Sequence, residues 1–341
     1  PGLAAAAPFA YIANAGSSNV SVIDTATNAL ITSVNMAMPY GVAVNPAGTR
    51  VYVTNWTDAT VSVIDTATNS VISTVGVGSE PGGVAVNPAG TRVYVANWNS
   101  NTVSVIDTAT NVEIDTVNVG SPPAGVAVAP SGNRIYVTNI NTDSVSVIDA
   151  ETNNVIAIVG VGSLPFGIAV NPAGTRVYVA NQDSNNVSVI DTASNTLITN
   201  VATGDGPIGV AVNPSGTRVY VANNGSDNVS VIDTATNTES TQVAVGAGPI
   251  GVAVNPAGTR VYVANQDSSN VSVIDTATNA EITTVPTGGN SPISLGQFIG
   301  PASVGPVSTD GIPIPTLSEW GAILLSLLTA GMALVRLRGS G

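Results

Sequence analysis

Seven aspartates recur at almost even spacing, Asp24, Asp65, Asp107, Asp149, Asp191, Asp233 and Asp275, and six arginines, Arg50, Arg92, Arg134, Arg176, Arg218 and Arg260, keep step with them. A carboxylate and a guanidinium at fixed separation could form an ion pair or cap a turn. Taken around a ring, the carboxylates could instead ligate cations. Alone they do not make a hydrolase, because general acid–base catalysis needs partners with matched pKa values. The chain has no histidine, no cysteine and no lysine. It therefore lacks the commonest general base, thiolate chemistry, zinc-finger ligands and the Schiff-base amine. These absences give the expectation of a protein that is not an enzyme and has no catalytic residue, cofactor or metal site.

The repeated charges are read as structural, one pair or capping network per repeat. The first repeat has no matching arginine, since Pro8-Phe9-Ala10 precedes Tyr11, so Asp24 is the aspartate expected to lack a partner. With a net charge of −13, the chain repels phosphate backbones, and nucleic acid is excluded as a partner. The polar tips offer little chemistry. Asp183-Ser184-Asn185 faintly resembles a calcium loop but lacks the glycine and distal glutamate such loops use. Asn-Val-Ser at Asn19, Asn186, Asn228 and Asn270 fits a glycosylation sequon, yet the tripeptide is built into the repeat. Trp56 and Trp98, at matching tips, read as a small contact patch on the rim.

The elements that must carry these residues follow from a repeat of about forty-two residues, clean from Gly209 to Ile250. Tyr-Val-Ala/Thr-Asn recurs at Tyr52, Tyr94, Tyr136, Tyr178, Tyr220 and Tyr262, and as Tyr-Ile-Ala-Asn at Tyr11. Each unit reads as four short strands. In the clean copy these are residues 209–212, 218–223, 229–233 and roughly 240–245. Asn213-Pro214-Ser215-Gly216 and Thr234-Ala235-Thr236-Asn237 supply turn chemistry. β-branched runs without helical periodicity make the chain all-β. Four strands per unit predict a seven-bladed β-propeller of four-stranded blades rather than a parallel β-helix. Seven second strands but only six clear first strands imply closure by the two chain ends, with Ser294 to Ile299 as the inner strand of blade one.

Tyr-Val-Thr/Ala-Asn followed by Val-Ser-Val-Ile-Asp-Thr-Ala-Thr-Asn resembles the YVTN-type β-propeller repeat over residues 9–301. The resemblance implies a prokaryotic cell-surface protein, surface-layer proteins included, with lactonase-like and cofactor-bearing oxidoreductase propellers as more distant relatives. Four regions result: a leader remnant at 1–8 like the flank of a secretory cleavage site, the propeller at 9–301, a linker at 302–313, and a tail at 314–341.

The tail places Ile314, Pro315, Thr316, Leu317, Glu319, Trp320 and Gly321 before an apolar run that ends at Arg336 and Arg338. Ser318 is positioned to cap a hydrophobic helix. Residues 320–335 would span about 24 Å at ~1.5 Å per residue, short of the roughly 30 Å of a bilayer core. Ala322, Ser326 and Ala330 form a small-residue face suited to helix packing. The arrangement is similar to the IPTL-CTERM sorting signal of Gram-negative bacteria. That resemblance implies export, passing membrane contact through the helix, an exosortase-like processing partner, and delivery to the cell surface or matrix.

Near-identical blades and a hub of Gly-Val-Ala-Val strands favour a secreted structural or adhesive propeller, homo-oligomeric or assembled into a surface array or filament through its C-terminal helix. The alternatives are a propeller enzyme, lactonase-like or oxidoreductase, and a module binding ligands with its rim loops.

Overall fold

In the computed structural model, residues 8–301 are described, and they form a ring of seven antiparallel sheets. The sorting motif and the helix-packing face of the tail lie outside the described residues. Within each complete blade the strands run in sequence order from the hub outward. Blade six illustrates this with Pro207–Val212, Arg218–Asn223, Asn228–Asp233 and Thr238–Ala244. The inner strand begins two residues earlier than the Gly-Val-Ala-Val core suggests, because proline is tolerated at the first position of a strand.

The sequence of each strand reflects its radius. The second and third strands are sandwiched between neighbouring blades and are buried on both faces, which is why they are near-continuous Val, Ile and Tyr. The fourth strand is exposed or half-exposed except for one buried valine, such as Val243 in blade six. The core is therefore a set of layers between blades. Ala43, Tyr52, Val61, Val63 and Val75 of blade two, for example, pack on Val84, Val93, Val95 and Ile106 of blade three.

Two turns recur at one face. Asn45 Oδ1 accepts the N–H groups of Thr49 (2.8 Å) and Arg50 (3.0 Å), closing the Asn-Pro-Ala-Gly turn in which Gly48 takes φ +69°. The Asp-Thr-Ala-Thr-Asn turn is held by Asp107 Oδ1, which accepts from Ala109 N (3.1 Å) and Thr110 N (2.9 Å). Thr108 Oγ1 donates to Gly90 O of the adjoining turn at 2.7 Å.

Blade one contributes three regular strands, Phe9–Asn14, Asn19–Asp24 and Ala29–Asn35. Its hub position is filled from the far end of the chain. Ile293 N donates to Ala13 O (2.9 Å), Tyr11 N to Phe298 O (2.9 Å) and Ala13 N to Ser294 Oγ (2.8 Å). On its other side the same segment accepts from Val42 N at Leu295 O (2.9 Å) and from Val44 N at Gln297 O (3.0 Å). It pairs through isolated bridges rather than a continuous ladder, since Gly296 at φ +114° breaks the extended run. Phe298, fully buried, anchors it among Tyr11, Ile12 and Val42.

Candidate functional site

Every complete blade brings a glycine to the waist of the hub. A methyl group on Gly83 would lie 2.6 Å from Ala124 O, and Gly41, Gly125, Gly167, Gly209 and Gly251 meet the next blade's carbonyl more closely still. Only a residue without Cβ lets the inner strands approach this closely. Beyond the waist, toward the Asn-Pro turns, the strands diverge and enclose a cup of about 490 Å³. Its wall is Val and Ala from six blades, including Val86, Val128, Ala169, Val170 and Val212, with prolines at the rim. The polar side chains of the lining are Asn45 and Gln297. Asn45 is committed to its turn, and also donates from Nδ2 to Thr49 Oγ1 at 3.1 Å. Gln297 is exposed, and its Nε2 donates to Ile299 O at 3.0 Å. Among the described residues, no ionisable side chain lines the cup. The inner strands are the hub-side edges of their sheets, and that of blade two is covered in part by the closing segment through Val42 N and Val44 N.

The opposite end of the hub is closed. Ile208, Ile250, Ile293 and Leu295 form a buried cluster, with Tyr40 and Phe166 packed against it. Ile208, Ile250, Tyr40 and Phe166 stand between the proline and glycine that open their inner strands; blades three and four carry Gly82 and Ala124 there instead. Trp56 fills the space beside Gly82, reaching within 3.8 Å of where a Cβ would stand. The reading of Trp56 and Trp98 as a rim patch is corrected accordingly. Trp56 leans inward against blade three and lies between Tyr40 (4.9 Å, tilted) and Trp98 (5.8 Å, edge-on). The blades are thus less uniform than their repeat suggests, and the signal was two variable positions in an otherwise constant unit.

The repeated charges sit at the turns of the cup-side face and do not line the cup. Arg50 Nη1 lies 2.8 Å from Asp65 Oδ2 and Arg176 Nη1 lies 2.6 Å from Asp191 Oδ2, while Arg260 pairs with Asp275. Arg134 and Arg218 reach instead into the next blade but retain no carboxylate, donating to Thr192 O (2.6 Å) and Thr276 O (2.7 Å). Arg92 makes neither contact. Asp24 caps its turn through Ala26 N at 2.7 Å without an arginine. Turn N–H groups hold the carboxyls of Asp107, Asp149, Asp191, Asp233 and Asp275 below the ordinary carboxylate range, the bond from the residue three positions on being the main cause.

Among the described residues, no helix is long and apolar enough to cross a membrane. Comparison with known proteins finds the IPTL-CTERM motif at residues 312–339, a C-terminal sorting signal that implies export and processing by an exosortase-like system. No curated protein matches the chain. Solved structures do. Hydrazine synthase of Kuenenia stuttgartiensis is 24% identical, with TM-score 0.70 over 76% of this chain and 90% of that one. A protein of unknown function from Desulfotomaculum acetoxidans is 18% identical, with TM-score 0.73 over 84% and 99%. A protein provisionally assigned as a 6-phosphogluconolactonase, from Bacteroides uniformis, is 18% identical, with TM-score 0.72 over 84% and 98%. At these identities the likeness carries the fold alone. The family described as Lactonase, 7-bladed beta-propeller matches residues 112–202 and 195–287, together just over half of the chain. That match overturns the expectation of a protein that is not an enzyme. The expectation weighed missing residue types, whereas ester opening also draws on amides, backbone donors and solvent water. A hub walled by edge strands, seven blades latched by the two chain ends, and this match together lead to one conclusion: the chain belongs to the seven-bladed β-propeller lactonase family.

Proposed function

We propose that the protein is an exported lactone hydrolase whose cup takes a small, uncharged cyclic ester and opens it with water. The family match over residues 112–287 carries this reading. The cup supports it in size, since small-ligand pockets run from roughly 300 to 1,000 Å³. The lining selects against charge. With no cation in the wall, a phosphorylated lactone has no partner for its phosphate, whereas an apolar ring suits Val and Ala. The Gln297 amide is a side-chain donor in the lining that is available to a developing oxyanion. With no ionisable side chain in the wall among the described residues, the nucleophile is solvent hydroxide: it adds to the lactone carbonyl, the ring C–O bond breaks, and the leaving alkoxide takes a proton from water.

The test is a pH-stat assay of the full chain on neutral γ- and δ-lactones. Turnover should rise in proportion to hydroxide from weakly acidic to weakly alkaline pH. Gln297→Ala should lower kcat/KM by about tenfold, the loss of one oxyanion donor or less, with Tm unchanged. Hydrolysis no faster than in buffer, or a bell-shaped profile, would overturn the reading.

The sorting tail supports delivery to a Gram-negative cell surface, with its apolar run in passing contact with the membrane. The outer strands support self-association. Ile31, Ile72, Ile114, Ile156, Ile158, Ile198 and Ile282 are exposed on unpaired edges, whereas blade six presents a polar outer strand, Thr238–Ala244. Sedimentation of the full chain should show oligomers that dissociate when these isoleucines are replaced by threonine.

A further inference from the structure

The closed end of the hub has features that lactone chemistry does not use. Tyr40, Trp56, Trp98 and Phe166 form a continuous row of half-buried rings, with centroids 4.9, 5.8 and 5.7 Å apart along it. Interplanar angles of 36°, 62° and 47° make the row a stepped surface. Among the described residues, neither indole N–H and no phenol of the row bonds to another protein group, so their polar edges are left for solvent or ligand.

The other side of the same face is different. The position that holds Trp56 and Trp98 in blades two and three holds Gln182, Asn224 and Gln266 in blades five to seven. One bond establishes the equivalence. The backbone N–H of each donates to the carbonyl before the inner-strand proline, from Trp98 to Glu80 (3.0 Å), from Gln182 to Leu164 (3.0 Å) and from Gln266 to Gly248 (2.8 Å). The three side-chain amides are partly exposed and, among the described residues, have no protein partner.

Charge completes the description. All six propeller arginines stand at the opposite face, beside the Asn-Pro turns, while seven carboxylates between Asp58 and Asp267 occupy the tips and crossings of this one. Such a face repels anions. Apolar rings facing an arc of free amides suit a ligand with C–H faces for stacking and neutral hydroxyls for hydrogen bonding. We propose that this face is a binding site for a neutral oligosaccharide, its sugar rings laid along the aromatic row and its hydroxyls met by Gln182, Asn224 and Gln266. The site lies across the glycine waist from the cup, so the proposal stands independently of the lactone reading.

The test uses the full chain carrying Trp320→Phe, which removes the tail's indole signal. Neutral hexasaccharides of glucose, mannose and N-acetylglucosamine are titrated against tryptophan fluorescence, with a heparin hexasaccharide as the anionic control. At least one neutral probe should saturate the signal, and heparin should not. Trp98→Ala should weaken binding about tenfold, Trp98→Tyr should restore most of it, and lactone turnover should stay unchanged in both. If Trp98→Ala does not fold, the double variant Gln182→Ala/Gln266→Ala, at partly exposed tips, should still weaken binding severalfold. Absence of saturation by every neutral probe at millimolar concentration, equal binding of heparin, or unchanged affinity in these variants would overturn the proposal.

Discussion

Each repeated aspartate places one carboxylate oxygen on two turn N–H groups, and each repeated tyrosine buries its ring between blades. Both arrangements make stability depend on pH, with opposite signs. For Asp107, Asp149, Asp191, Asp233 and Asp275 the folded pKa is depressed below 3.8. The contribution of these groups is present above that value and is lost as pH falls through the folded pKa. Calorimetry should show a Tm that declines below about pH 4, and Asp107→Asn should flatten that decline; an identical acid limb would contradict the turn-capping role. Every tyrosine is displaced the other way from 10.0, chiefly by burial, Tyr11 and Tyr262 among them. A raised phenol pKa stabilises the fold below 10.0, and that contribution is lost as pH rises beyond it. Phenolate absorbance should therefore appear only together with unfolding. Tyrosines that titrate while the far-ultraviolet spectrum is still native would refute this. With no histidine, lysine or cysteine, the interval between these limbs should be flat.

At the scale of elements, the waist glycines and the closing segment have well-defined tolerances. A methyl at Gly167 would collide with the Ile208 carbonyl oxygen, a backbone atom that cannot swing aside. Gly167→Ala should cost about 1–3 kcal/mol as overpacking does, read as a lowered denaturation midpoint at unchanged m-value. Phe298→Ala should cost about 3–5 kcal/mol, as for other buried aromatics, and a cost near zero would mean that the latch is dispensable. The strand pattern was legible because strand chemistry repeats: Arg218–Asn223 can be read directly from Arg-Val-Tyr-Val-Ala-Asn. Closure was legible from the missing first strand, although Gly296 makes the segment less regular than its neighbours. The cup and the aromatic row were not. Both depend on which way the strands diverge from the waist, and a repeat that looks constant concealed the positions where Gly82 and Ala124 make room for Trp56 and Trp98.

For the whole molecule, bond order around the ring matters more than chain order. Contacts between Ala13 and Ser294 join residues 281 apart, the kind of pairing that slows folding because the intervening loop must close first. A circular permutant that joins residue 301 to residue 9 through a flexible linker and opens the backbone at the exposed tip 225–226 would keep every inter-blade layer and make the latch local. It should refold faster than the natural order and melt within a few degrees of it. Slower refolding would mean that the far ends meet early rather than last. The latch also gives the ring a direction in time. Until the last blade has left the ribosome, or emerged from the export channel, the first blade is missing its hub edge. An interrupted chain therefore displays a sticky half-sheet that a protease or chaperone can recognise, and completion is signalled by the disappearance of that edge.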